Sequence, residues 1–183
     1  MKNDVASMSY IWGDMGDKLA IADRMDLVGT AMELAGELGV TLGLGAHSLQ
    51  VPIKCDRAGV KPDFYVKTFH HDKYWSAHPN ENRSEFMHDL EYDSIDRTQY
   101  HDNLWCPSAN EVEEFFKTVN TPWIAYKVLA AGAIDPEDGF KFAFERGADF
   151  ICVGMFDFQI IPNANIVYNT LNSGLNRDRD WLA

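Results

Sequence analysis

Residues 122–157 constrain the fold more than any other stretch: P-W-I-A-Y-K-V-L-A-A-G-A-I, then D-P-E-D-G-F-K-F-A-F-E-R-G-A-D, then F-I-C-V-G-M-F-D. This order of patterns predicts strand, helix, strand. The first apolar run reads as a buried strand that meets a tight turn at Ala131-Gly132, and Asp135-Pro136 offers a helix N-cap followed by proline at the first helical position. Gly147 closes that helix, and a second apolar run over 150–156 places Gly154 beside the glycine that ended the first. Strands joined by such a helix run parallel, because the helix returns the chain to the start of the sheet. Glycines at their carboxyl ends mark the face where proteins of this class bind ligands.

Around this unit the chain has material for one domain over 1–183: it is 46% hydrophobic and 13% aromatic, enough for a substantial core. Charge then limits the partners. With 28 acidic against 16 basic residues the formal charge is -12, and no Lys/Arg cluster interrupts it, so nucleic acid is not an expected partner. The first ten residues lack the apolar core of a signal peptide, and no apolar run approaches the length that spans a bilayer, so a cytoplasmic, non-membrane protein is expected. Cys55, Cys106 and Cys152 lack metal-type spacing and fit a reducing compartment. No motif indicates a nucleotide cofactor.

Upstream, residues 3–17 read as a polar loop with Gly13 and Gly16, and 18–38 as one amphipathic helix before Gly39. Residues 40–46 form a short glycine-rich strand that delivers His47 and Ser48 at its carboxyl end. After a short helix over 52–58, the run D-F-Y-V-K-T-F-H-H at 63–71 is a strand by its Tyr, Val, Thr and Phe content, and it leads into His70, His71 and Asp72. Periodicity is then lost over 72–107. Trp75, Trp105 and several His and Asp residues in this stretch suggest a lid insertion over a site. Ser108, with Glu111 at the capping-box position, opens the helix that feeds the strand at 122. A last helix over 164–171 and a polar tail anchored by Trp181 complete the chain.

The expected fold class is therefore α/β, with about four parallel strands forming half of a TIM-type barrel and the lid following the second of them. An open flavodoxin-like sheet is the alternative. Polar residues and glycines at every strand's carboxyl end favour the barrel, since an open sheet concentrates its ligand at one switch point. Full barrels need about 250 residues, and a half-barrel leaves two bare edges, so a homo-oligomer, a partner that completes the barrel, or a sequence that is a truncated part of a full barrel is expected.

The turns at 130–134 and 153–155 resemble those of phosphate-binding barrels, where backbone N–H groups hold the anion. More broadly, H-H-D-x-Y-W-S, H-D-N-x-W-C and P-W-I-A-Y-K-V-L-A-A-G-A-I together resemble an uncharacterised bacterial (β/α)8 barrel family through its carboxyl-terminal half. That likeness implies a fold and no activity. His47, His70 or His71, and Asp157 fall where metal-dependent barrels of the amidohydrolase type keep two metal-binding histidines and a catalytic aspartate. Val66-Lys67-Thr68 and Lys127 resemble the lysine pair of class I aldolases such as deoxyribose-phosphate aldolase.

These likenesses imply a barrel enzyme acting on a small, possibly anionic, polar substrate. The first mechanism is divalent-metal-assisted hydrolysis or isomerisation. A zinc, manganese or iron ion would be held by His47, His70 or His71, Asp72 and His101, with Asp157 as base and Lys127 orienting an anionic group. The second is a metal-free aldolase or lyase that forms a Schiff base on Lys127 or Lys67 and binds a phosphorylated substrate. Gly132, Gly154, Trp75 and Trp105 are the candidate substrate contacts in either. A third reading is a non-catalytic half-barrel subunit or binding module. Each residue also has a structural role open to it: His47 can cap a turn, Lys127 can sit in a salt bridge, and Asp157 can cap the last helix.

Overall fold

The computed structural model describes residues 8–86 and 106–182. Its sheet has five strands, β1 (Met8–Ile11), β2 (Thr41–Ala46), β3 (Phe64–Thr68), β4 (Trp123–Tyr126) and β5 (Phe150–Cys152), every neighbouring pair parallel and in sequential order. Helices connect them: α1 (Gly13–Ile21), α2 (Met25–Glu37), α3 (Gln50–Arg57), α4 (Ala109–Thr118), α5 (Pro136–Glu145), and α6 (Ile160–Leu171) after β5. The order never reverses, so there is no switch point of the kind that divides an open doubly wound sheet. No helix among the described residues is long and apolar enough to cross a membrane.

The strand–helix–strand unit at 122–157 forms for the local reasons its sequence supplies. The Asp135 side chain accepts a hydrogen bond from the Glu137 N–H, Pro136 opens α5, and Gly147 takes φ +103° just past its end. Ser108 caps α4 by accepting from the Glu111 N–H. Trp123, fully buried, is the centre of the core: it stacks on Phe116 at 4.3 Å, meets Phe69 edge-on at 5.1 Å, and donates its indole N–H to the Gly147 carbonyl. Aromatic packing of this kind adds about 0.5–1.5 kcal/mol per pair beyond area burial.

Three differences from the sequence reading matter for the site. A strand, β1, stands where a polar loop was expected. The helix expected over 18–38 is two helices, broken at Asp23, which has φ +56°. And β4 stops at Tyr126, because Lys127 takes the left-handed φ of +58° and turns the chain out of the strand. The expected run to Ala131 is instead a short turn over Ala130–Gly132. Within the expected lid, residues 72–86 carry a single turn of 3-10 helix, Asn80–Asn82; residues 87–105, with His101 and Trp105, lie outside the described residues.

The first of these differences brings acidic residues to the sheet. Helix α1 sits directly on the carboxyl end of β2, where both chains are glycine: a Cβ on Gly16 would run into the Gly45 carbonyl, and one on Gly45 would lie 2.7 Å from the Gly13 nitrogen. This backbone contact places Asp14 and Asp17 against the residues that follow β2.

Candidate functional site

His47 stands just beyond β2, and its environment is built from three strand ends and one helix. Asp17, fully buried on α1, accepts hydrogen bonds from the backbone N–H groups of His47 and Ser48 at 3.2 and 2.9 Å and from His47 Nδ1 at 2.8 Å. A carboxylate facing Nδ1 fixes the tautomer: Nδ1 carries the proton and Nε2 is left as an acceptor. That acceptor meets Lys127, whose Nζ lies 3.1 Å away. Gly13 lets the chain close over the ring, since a Cβ there would lie 2.7 Å from the Tyr126 hydroxyl and 2.8 Å from the imidazole.

Lys127 ends this chain of contacts. Burial disfavours its ammonium form and lowers its pKa from 10.5 to about 8; Asp14 and Asp17 oppose the shift and Lys67 adds to it. A lysine in that range supplies a sizeable fraction of neutral amine near physiological pH. Its left-handed backbone is a cost that a glycine or asparagine would avoid, and such conformations gather where geometry serves function.

Lys67 has the opposite character. It is 1% exposed, and its Nζ donates to the carbonyls of His47 and Thr68 at 2.6 and 2.9 Å and to the Thr68 hydroxyl at 2.8 Å. Burial lowers its pKa as well, against attraction from Cys106, Asp17 and Glu85. All three protons of an ammonium find acceptors, so Lys67 is a buried strut that holds the His47 main chain in place. Ser48 is tied outward through its hydroxyl to Glu85.

Beside Lys127 opens a cavity of about 670 Å³, between the ends of β4 and β5 and the start of α6. Gly132 and Gly154 both line it, as do Met155, Phe156 and Asn163. Asp157 does not: it is exposed at the start of the turn Asp157–Gln159. Trp75 is 89% exposed and faces solvent.

The remaining candidates form a separate group around the end of β3. His71 Nε2 pairs with Asp138 on α5 at 2.8 Å, and its Nδ1 accepts from the Lys73 N–H at 3.1 Å. Asp72 pairs with Arg83 at 3.1 Å. His70 is buried and neutral, its pKa pushed down to about 4 by burial; its Nδ1 donates to the His71 carbonyl, and Nε2 has no partner among the described residues. His71 and Asp72 thus face α5 and Arg83 rather than His47.

A metal-ligand set does occur, with different members. Oxygens of Asp14 and Asp17 and a nitrogen of His47 lie within 4.8 Å of one another and can hold a divalent ion. Neither aspartate was picked out in the sequence, because 3–17 read as loop. Their spacing of three residues, which puts both on one face of a helix, was the available signal. No family model, curated protein or solved structure matches this chain.

Proposed function

We propose that this chain forms an arc of a (β/α) barrel enzyme and that Lys127 is its reactive amine, condensing with a carbonyl substrate to a Schiff base for lyase or aldolase-type chemistry. One observation carries the reading: the Lys127 amine, lowered in pKa, is hydrogen-bonded to a histidine whose tautomer a buried aspartate fixes, and it borders a cavity of about 670 Å³.

The residues divide the work as follows. His47 Nε2 takes a proton from the Lys127 ammonium, leaving the amine lone pair free to attack the carbonyl carbon while the C=O π pair moves to oxygen. The imidazolium returns a proton to that oxygen, the nitrogen then gives one proton back to His47 Nε2, and His47 delivers it to the carbinolamine hydroxyl, which leaves as water as the C=N bond forms. Asp17 stabilises the imidazolium in between, and Lys67 holds the His47 backbone. In a β-hydroxy substrate, neutral His47 Nε2 takes the hydroxyl proton, the O–H pair forms the carbonyl of the departing aldehyde or ketone, and the Cα–Cβ pair moves to the iminium to give an enamine, which is the step of a lyase.

The test is reductive trapping. Borohydride added with a small aldehyde converts the iminium to a stable secondary amine, and peptide mapping locates it. Labelling of Lys127 well above that of the exposed Lys18 and Lys61, lost in Lys127→Arg, supports the reading; uniform labelling of surface lysines rejects it.

A second reading rests on the Asp14, Asp17 and His47 donor set: an enzyme using a divalent ion as Lewis acid, with Lys127 orienting the substrate. Against it, both Asp17 oxygens already accept protein hydrogen bonds, so an ion would compete with the His47 and Ser48 N–H groups. Titration calorimetry with zinc or manganese, repeated on Asp14→Asn, decides it: stoichiometric binding weakened by the substitution favours the metal.

A further inference from the structure

We infer that the carbonyl compound Lys127 takes is uncharged and mainly apolar beyond its carbonyl group, an aliphatic or aromatic aldehyde or ketone rather than a phosphate ester or carboxylic acid. The inference rests on the amine reading above and adds the substrate class to it.

The cavity wall is the first ground. Val128, Leu129, Val153, Met155 and Phe156 make much of it apolar, and among the described residues Lys127 is its one charged side chain. Once Lys127 is committed to the Schiff base, no second cation remains on that wall for an anionic group, and a charge desolvated against such a surface without a partner is costly.

The first of the two turns that resemble a phosphate cradle, at 130–134, is the second ground. Four of its five N–H groups are already used: Ala130 donates to the Lys127 carbonyl at 2.9 Å, Gly132 to Leu129 at 2.8 Å, Ala133 to Ala130 at 3.2 Å and Ile134 to Leu129 at 3.1 Å. A phosphate at this turn would have to displace the bonds that form it. Phosphate sites of this kind depend on N–H groups that point outward without partners.

The surrounding field is the third. Asp14 and Asp17 lie behind the amine, and the chain carries a formal charge of -12, so an anionic substrate would be repelled on approach. What the cavity offers instead is neutral polar groups, Tyr126, Cys152, Gln159 and Asn163. Asn163 is 5% exposed, and the one bond it makes among the described residues is a long contact from Nδ2 to Met155 Sδ at 3.7 Å. A carboxamide so placed suits a hydroxyl or carbonyl on an otherwise apolar body.

The experiment compares two aldehydes of equal chain length, pentanal and 5-oxopentanoate, in cyanoborohydride trapping of the whole chain. Labelling is resolved by peptide mapping, with Lys18 and Lys61 as internal references for intrinsic reactivity. Pentanal is expected to label Lys127 about tenfold faster than 5-oxopentanoate after that normalisation, the anion losing its hydration without gaining a partner. Equal rates, or a preference for 5-oxopentanoate, would overturn the substrate class while leaving the amine reading in place. If neither aldehyde labels Lys127 above the reference lysines, the amine reading itself fails and the inference falls with it.

Discussion

Two buried charge clusters sit at opposite ends of this sheet, and they differ in what their last member does. At the amino end, Asp149 accepts from the Trp123 and Leu182 N–H groups, each at 3.0 Å, and from Arg177 and Arg179. The two guanidinium groups spend their other protons on carbonyls of Phe116, Phe144, Gly147 and Ala148, and Arg177 lies over the Trp181 ring at 3.9 Å. Every contact ends in another structural group, and the cluster fastens the tail to β4 and β5. At the carboxyl end, Asp17 is bonded as fully, yet its contacts lead through His47 to an amine that borders a cavity. Burial of charge is common to both; a bordering cavity belongs to one.

The amino end should therefore answer to stability alone. Asp149→Ala leaves two buried guanidinium groups without their carboxylate and should lower the unfolding free energy by about 3–5 kcal/mol. Urea titration followed by tryptophan fluorescence reads the change. Below the unfolding transition, the rate of Lys127 trapping should match that of wild type. A variant of undiminished stability would remove the clamp from this end, and slowed trapping in folded protein would merge the two clusters into one.

The carboxyl end should answer in chemistry first. In Asp17→Asn the amide oxygen can still accept from the His47 and Ser48 N–H groups, but the amide N–H₂ then faces Nδ1 and forces the imidazole proton onto Nε2. That tautomer cannot take a proton from Lys127. Trapping should slow about 100-fold, equivalent to about 2.7 kcal/mol of barrier. Asp17→Asn with normal trapping and a large stability loss would make this end a second clamp.

The sequence exposed the two ends unequally. His47 was visible as a polar residue at the end of an apolar run, where the topology of parallel sheets puts ligand sites, and Lys67 and Lys127 as lysines within apolar runs that resemble the lysine pair of class I aldolases. The all-parallel α/β arrangement was visible in the alternation of strand and helix patterns. Asp17 was not, because α1 reaches β2 through a glycine–glycine contact that no periodicity announces, and because β1 is four residues long within a polar stretch. The stop of β4 at Tyr126 was hidden too: an apolar run continues past it, and only the left-handed turn at Lys127 shows that the strand has ended. His70, His71 and Asp72 carried residue types suited to a metal, but their directions depend on α5 and Arg83, which lie far along the chain.

pH separates the clusters further. The Lys127 amine is the reacting form, so trapping should rise about tenfold per pH unit up to about pH 8 and level off above it. The same shift has a stability sign. Its folded pKa lies below the ordinary value of 10.5, so between about pH 8 and 10.5 the unfolded chain holds more protons, and stability from this group increases with pH across that window. Lys127→Met should flatten both profiles. The Asp149 cluster should contribute no trapping profile at all.

The smallest expected effect is conformational, and it sets one left-handed residue at each end against the other. Near the amino end, Gly147 takes φ +103° beside Arg179, whose Cδ would lie 3.3 Å from an added Cβ. There the residue type suits the geometry, and Gly147→Ala should lose stability. At the carboxyl end a lysine occupies φ +58°, a conformation that costs a residue with a Cβ about 1–2 kcal/mol and that asparagine tolerates better. Lys127→Asn and Lys127→Ala both remove the partly desolvated ammonium, so the difference between them isolates the backbone. Asn should be the more stable of the two by about 1 kcal/mol in urea titration, and both should be inert to trapping. A stability gain coupled to loss of reactivity is what a residue kept for its chemistry should show, and equal stability of the two variants would leave the left-handed lysine without cost and remove strain from the argument.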